Sequence, residues 1–368
     1  MLDNLWKKKT TMMVGIDIGS HAVKAVLLSQ GNDGYVLEDF AIEPMVRGSV
    51  VDREIQDIEA VGNVIAKIRQ SIPMKAKEAA AAVSGQTVIT KIIYMDVSLN
   101  EEELASQIEI EADSLIPYPL DEVSLDFETL DVNESDPSKV NVLLSAARTE
   151  SIEARVAALE AGDFVAKVID VESYAVSRSH DLCLSQLPED AAEKTVAIVD
   201  IGATMTLFSV TKAGKHLYSR DQMFGGEQYT RSIVSYYNKS FEEAEEAKIN
   251  NDLPPNYTFE VLAPFHTVLM QQIRRAIQMF LTSSGLSKVD YLLVSGGTAS
   301  IEDIEKLLTD ELGVHTVIAN PFNEMTISSS INEEVLATVA PPLTVATGLA
   351  LRRFTPWHIS TCSLGANK

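Results

Sequence analysis

The sequence predicts an α/β fold of two duplicated lobes that face each other across a cleft, and three observations predict it. Residues 14–26, VGIDIGSHAVKAV, and residues 196–210, VAIVDIGATMTLFSV, spell the same Asp-Ile-Gly turn. The order of elements that follows each turn repeats. A third turn, Gly-Gly in YLLVSGGTASIEDIEKLL at 291–308, joins a buried-type strand to an amphipathic helix. Each Asp-Ile-Gly copy is a short apolar run that ends on an aspartate, passes through small residues and resumes with alternating character, which is the pattern of a β-hairpin.

In the first half, a strand ending at Asp17 leads to a strand near Val23–Leu28, a GNDG turn at 31–34, a strand near Tyr35–Ile42 and a helix through about Ile55–Ile72. In the second half, a strand ending at Asp200 leads to Thr206–Val210, a KAGK turn at 212–215, a strand at His216–Ser219 and a helix near Thr230–Tyr237. Two copies of strand-strand-strand-helix imply two similar lobes with the twin turns on either side of a cleft.

Two segments interrupt this scheme. Residues 86–165 open with the β-rich run TVITKIIYMDV. A helix follows, marked by Asn100 with Glu103 three residues on, and it carries Leu104, Ile108 and Leu115 up to the PYP at 117–119. The polar DVNESDPSK at 131–139 is a loop between strands near Val123–Leu130 and Val140–Ala146. The second insertion, 229–287, is mainly helical with a DLPPN break at 252–256. The expected division is a basic tail 1–11, a first lobe 12–85, 166–194 and 338–354, an inserted subdomain 86–165, a second-lobe core 195–228 and 288–337, its insertion 229–287, and a tail 355–368.

Composition narrows the function. The chain has 368 residues, 46% of them hydrophobic, enough for a sizeable core. A formal net charge of −23 argues against electrostatic capture of nucleic acid, which needs clustered Lys and Arg. The two cysteines, Cys183 and Cys362, have no spacing of a zinc site or disulfide framework. No apolar run is long enough to span a bilayer, and no signal-peptide pattern opens the chain, so a cytosolic location is expected. The start MLDNLWKKK sets Leu2, Leu5 and Trp6 beside Lys7, Lys8 and Lys9, which reads either as a frayed solubilising end or as a weak contact with an anionic leaflet.

The turns suit a nucleotide triphosphate and magnesium. Gly19 with Ser20, and Gly202 with Ala203 and Thr204, offer one backbone-amide cradle per lobe. Magnesium takes hard oxygen ligands and keeps several waters, so Asp17 and Asp200 suffice as its candidate carboxylates. Lys24 either reaches a phosphate oxygen or is a solvated strand lysine.

At these residues the sequence resembles the actin, heat-shock-70 and sugar-kinase superfamily, over nearly the whole chain. The resemblance implies an actin-like ATPase fold of two RNase-H-like lobes. It makes Asp17, Gly19, Ser20 and Lys24 the first phosphate motif, and Asp200, Gly202 and Thr204 the second. Gly296, Gly297 and Thr298 become the adenosine motif. Glu245 and Lys248, in FEEAEEAK, resemble the pair that clamps the nucleoside, though a charged exposed helix face explains them equally. Glu172, in VIDVESYAV at 168–176, falls where the superfamily places a polar residue near the attacking water, and it also fits a helix-start cap beside Asp170.

No client domain of the chaperone type and no second polar cluster for a sugar substrate is evident. The placement of the first-lobe insertion is similar to the branch related to the cell-division protein FtsA. Within it the chain resembles the PilM family of cytoplasmic actin-like proteins of the type IV pilus inner-membrane platform. The stretches LIPYPLDEVSLDF at 115–127, DVESYAV at 170–176, GGEQYTRSI at 225–233 (with Gly225 and Gly226) and SGGTASI at 295–301 carry this resemblance. The tail TPWHISTCSLGANK lacks the amphipathic membrane helix that closes FtsA. The resemblance implies an ATP-binding scaffold, peripheral to the inner membrane, with at most slow hydrolysis. It implies a grip on the cytoplasmic amino-terminal tail of a bitopic PilN-like partner, in a groove beside the inserted subdomain and its apolar residues of 86–130, and a link to the pilus motor ATPases. An FtsA-like tether or a polymerising ATPase is the alternative.

Overall fold

The computed structural model describes residues 12–355 apart from Asp33 and Gln86. The Leu/Trp/Lys cluster at the start, residues 356–368 of the tail with Cys362, and the middle of the GNDG turn lie outside the described residues.

In chain order the first lobe opens with strands β1 (Met13–Ile18), β2 (Ala22–Gln30) and β3 (Tyr35–Pro44), a small ribbon β4 (Val50–Val51) and β5 (Glu54–Ile55), helix α1 (Ile58–Ser71) and β6 (Glu78–Val83). Next come β7 (Ile89–Asp96), α2 (Glu101–Leu115), β8 (Val123–Val132), β9 (Lys139–Arg148), α3 (Thr149–Ala161), β10 (Val165–Val171) and α4 (Glu172–Cys183). The second lobe has β11 (Thr195–Ile201), β12 (Thr206–Lys212), β13 (Lys215–Gln222), α5 (Gly226–Tyr237), α6 (Phe241–Ile249), α7 (Ala263–Ser284), β14 (Tyr291–Ser295), α8 (Ile304–Leu312) and β15 (His315–Ile318). The chain closes with β16 (Thr326–Ile327), α9 (Glu333–Val339) and α10 (Thr344–Ala350).

The duplication is plain in the sheets. The second lobe has the order β13-β12-β11-β14-β15, and the first has β3-β2-β1-β6-β10 with β16 added beside β3. In both, a three-strand antiparallel meander continues into two parallel strands. The run TVAIVDI of β11 has no polar alternation because every one of its residues is buried, as expected of a central strand covered on both faces. On one face lie Phe265, Leu269 and Phe280 of α7. On the other, Val196 and Ile198 join Ala175, Val176 and Cys183 of α4 in a core shared by the two lobes. Burial pushes the Cys183 thiol up to about 12, which leaves it unreactive.

Within 86–165, β7, β9 and β8 form a separate three-stranded antiparallel sheet whose inner face packs on Leu104, Ile108 and Ala112 of α2. Asn100 and Glu103 close a reciprocal capping box at the start of α2. Helix α3, expected with this insertion, contributes Ala158 and Leu159 to the first-lobe core instead. The stretch around Phe322 and Leu336, expected with the second lobe, packs against Val26, Leu28 and Leu37 of the first, because β16 pairs in parallel with β3.

His216 on β13 is held against α4, its Nδ1 2.9 Å from Ser177 Oγ. Burial pushes its imidazole down to about 4. A base whose folded pKa lies below its unfolded value contributes stability above the unfolded pKa that is lost as pH falls through the folded one. Acidification from about pH 6.5 to about pH 4 is therefore expected to cost about 2 kcal/mol at this site. Melting curves of wild type and His216→Gln over that range check it: their difference should shift in favour of the variant as pH falls.

Candidate functional site

The two Asp-Ile-Gly turns are built alike and face each other. In the first, Gly19 N–H donates to the Ala22 carbonyl at 3.1 Å; in the second, Gly202 N–H donates to the Met205 carbonyl at 2.9 Å. Ser20 Oγ on one turn and Thr204 Oγ1 on the other are 3.2 Å apart, so the hairpin tips of the two lobes touch. Beneath them opens a cleft of about 1190 Å³.

Strand register explains why the two aspartates differ. Asp17 lies directly opposite Lys24 in the β1–β2 pair, and Lys24 Nζ donates to Asp17 Oδ2 at 2.6 Å. The equivalent partner of Asp200 across β11–β12 is Leu207. Asp200 is 8% exposed and accepts from Ser295 Oγ at 2.7 Å. Burial pushes its carboxyl up to about 6 against the Ser295 hydrogen bond, and Glu172 adds to the rise. The second turn thus holds a buried carboxylate whose charge wants a cation, while the first holds a lysine already at an acidic partner. Burial opposes the Lys24 charge, and Asp17, Asp200 and Glu172 together outweigh it, so its ammonium titrates above the ordinary lysine range.

Helix α5 begins beside the second turn. Gly226 N–H donates to the Gly202 carbonyl at 2.9 Å and Glu227 N–H to the Ala203 carbonyl at 2.8 Å. A helix start at such a place favours an anion. Further along the cleft, Lys248 Nζ on α6 donates to Glu245 Oε1 at 2.7 Å and to Thr230 Oγ1 at 2.8 Å, and Thr230 donates to Glu245. Glu245 and Lys248 line the same cleft as Gly297 and Thr298. Across the mouth, the Arg47 guanidinium of the first lobe sits 4.0 Å from the Phe241 ring of the second.

Of the residues expected at the site, the cleft is lined by Asp17, Gly19, Ser20, Lys24, Glu172, Asp200, Gly202, Thr204, Gly226, Glu245, Lys248, Gly297 and Thr298. Gly225 and Gly296 do not line it. They are spacers beneath the turns: a Cβ at Gly225 would sit 2.4 Å from the Ala203 carbonyl oxygen, and one at Gly296 2.5 Å from that of Ile201. Glu172 is the first residue of α4 and pairs with Arg53, a residue that the sequence analysis did not single out. Neither Ser84, Asp221, Tyr257 nor His266 carried any sequence signal of a role here. Among the described residues no three His, Cys, Asp or Glu side chains cluster as a metal site. Two carboxylates and water are the donor set that magnesium accepts, so Asp17 and Asp200 fit that ion.

A family model described as type IV pilus assembly protein PilM matches residues 15–354. The chain belongs to that family. The backbone is also similar to that of a solved PilM-PilN type IV pilus biogenesis complex, at 26% identity over 94% of this chain and 99% of that one, with a TM-score of 0.79. The ethanolamine utilization protein EutJ from Carboxydothermus hydrogenoformans is similar at 16% identity, over 92% of this chain and 89% of that one, with a TM-score of 0.55. At that identity the likeness is one of fold. The fold of this PilM-family chain is the actin-like one.

Proposed function

We propose that the chain is an Mg-ATP-binding scaffold of the type IV pilus machinery that grips the cytoplasmic tail of a bitopic inner-membrane partner. The carrying observation is the contact between the two hairpin tips over the cleft, with Ser20 and Thr204 3.2 Å apart. The two glycine turns would offer backbone amides to the phosphates, Asp17 and Asp200 would hold magnesium, which would neutralise phosphate charge, and Lys24 would reach a phosphate oxygen. Glu245 and Lys248 take the ribose hydroxyls. Removing one charge-assisted ribose contact costs about 1.5 kcal/mol, so Glu245→Ala is expected to weaken Mg-ATP about tenfold in a calorimetric titration.

The partner tail fits the outer face of the inserted sheet. Ile92 and Tyr94 of β7 are exposed there, and Ile92 is paired directly with Leu143 of β9. Thr90, on the same face, lies beside Tyr174 of α4, so this end of the face turns toward the first lobe. Among the described residues β7 pairs with β9 alone, which leaves an edge that an extended peptide can extend by main-chain hydrogen bonds. No single described helix is long and apolar enough to cross a membrane. Contact with the inner membrane then comes through the partner, from the cytoplasmic side, and the scaffold joins it to the motor ATPases.

Cross-linking the tagged protein in its own cells, solubilising the envelope and identifying co-purified proteins by mass spectrometry tests this reading. A bitopic pilus-platform protein and the motor ATPases are expected. Division proteins in their place would overturn the assignment and leave the fold untouched.

A further inference from the structure

Asp52 and Arg53 are consecutive non-glycine residues in the left-handed region, with φ of 50° and 68°. Each such residue costs on the order of 1 kcal/mol and persists only where its surroundings hold it. Arg155 of α3, itself buried, does the holding. Its guanidinium donates to the Arg53 carbonyl, to the Ala82 carbonyl at 2.7 Å and to the Ser151 carbonyl at 2.8 Å. The Glu54 side chain, next in sequence, takes the Ser151 hydroxyl at 2.7 Å. The strained turn therefore places the Arg53 side chain in the cleft by design of the packing around it.

There the Arg53 side chain is 14% exposed and its Nη1 donates to Glu172 Oε1. The same Nη1 lies 3.3 Å from Ser84 Oγ, and Nη2 lies 3.4 Å from Asp221 Oδ1 on β13 of the other lobe. Glu172 is 8% exposed and shares the cleft with Asp17, Lys24 and Asp200. Burial by itself pushes its carboxyl up, but the Arg53 charge, the hydrogen bonds from Arg53 and Ser84, and the Lys24 charge together hold it below the ordinary carboxylate range. A carboxylate so occupied is a poor proton acceptor, because efficient acceptors have pKa values near the working pH.

We propose that Arg53 is a brake on ATP hydrolysis, keeping Glu172 in an ion pair and away from the attacking water; this rests on the reading of the cleft as an Mg-ATP site. In the restrained step, a water oxygen bonds to the γ-phosphorus and the bond from that phosphorus to the bridging oxygen breaks, its electron pair leaving on ADP. The water proton passes to Glu172 and from there to the product phosphate. With the guanidinium on Glu172 the proton has no acceptor, and ATP stays bound and intact, as a nucleotide-locked scaffold requires.

The test is phosphate release from Mg-ATP by the full-length protein, with Mg-ATP affinity measured in parallel by titration calorimetry. Arg53→Gln is expected to raise kcat at least about tenfold, a part of the roughly 10²–10⁴ that a positioned base supplies, with Mg-ATP affinity changed less than about threefold. Its rate should gain an acidic limb in the pH profile that wild type lacks, and Arg53→Gln combined with Glu172→Gln should return to the wild-type rate. Arg53→Lys, which keeps the charge but loses the fork, should lie between wild type and Arg53→Gln, and it carries the test if Arg53→Gln does not fold. Intact ATP binding with an unchanged or lower rate in these variants overturns the brake, as does a raised rate that survives Glu172→Gln. A wild-type protein with no affinity for Mg-ATP overturns the nucleotide reading itself, and the brake with it.

Discussion

Asp200→Asn is expected to stabilise the ligand-free protein at pH 8 and to abolish its stabilisation by Mg-ATP. Asparagine has the same shape and still accepts the hydrogen bond from Ser295, which spans 2.7 Å in the native protein. What it removes is a buried charge. The Asp200 carboxyl stands at about 6 in the folded chain, above its ordinary 3.8, chiefly through burial. A group raised in this way contributes stability that is full below about pH 4 and is lost as pH rises through about 6. The ionised carboxylate at pH 8 therefore costs about 3 kcal/mol, which asparagine recovers and which disappears again near pH 4. On the proposed reading the same carboxylate holds magnesium, and without its charge the Mg-ATP-dependent rise in melting temperature should vanish. Thermal melts in EDTA and in Mg-ATP, at pH 8 and pH 5, read both effects. A variant less stable at pH 8, or one that keeps the full nucleotide shift, would contradict this account of Asp200.

Gly348→Val should unfold the protein or come close to it. Gly348 sits in α10, a helix in which every residue is buried, where it crosses α4. A Cβ at this position would stand 1.8 Å from the Ala175 carbonyl oxygen and 2.9 Å from Ser179 Oγ. Neither neighbour retreats easily: the Ala175 carbonyl is backbone within α4, and Ser179 Oγ donates to the Thr344 carbonyl. Backbone against backbone leaves no flexible side chain to give way, so the cost should reach at least about 3 kcal/mol, the upper end for overpacking. Because α4 begins at Glu172, separation of α10 from α4 should also reduce Mg-ATP affinity. Urea melts of Gly348→Ala and Gly348→Val measure the cost, and the alanine variant should already lose more than half of it.

The repeated hairpin was legible because its register is local. Seven residues separate Asp17 from Lys24 and Asp200 from Leu207, and in both hairpins these residues are cross-strand partners. The two glycine turns and the lysine beside the first aspartate could be named from such spacing, whereas the Glu245–Lys248 pair came only from the resemblance to the superfamily. The capping box at Asn100 and Glu103 was legible for the same reason. Arg53 was not. It lies in a short turn with no motif, and what aims it is Arg155, far along the chain on a helix that packs chiefly on the first-lobe core. The path of the chain near Phe322 was also hidden, since a two-residue parallel pairing of β16 with β3 leaves no periodicity to read. Gly225 and Gly296 also have a packing reason to be glycine that the sequence did not show: neither lines the cleft, and a Cβ at either would meet the backbone that carries the turns.

The central claim is that the facing hairpins form a magnesium-nucleotide site. The measurement that tests it most directly is a calorimetric titration of the wild-type protein with ATP, with and without magnesium. One saturable site per chain that requires magnesium, and that weakens about tenfold or more in Asp200→Asn, is the predicted result. Absence of binding, or binding indifferent to both magnesium and Asp200, would contradict it.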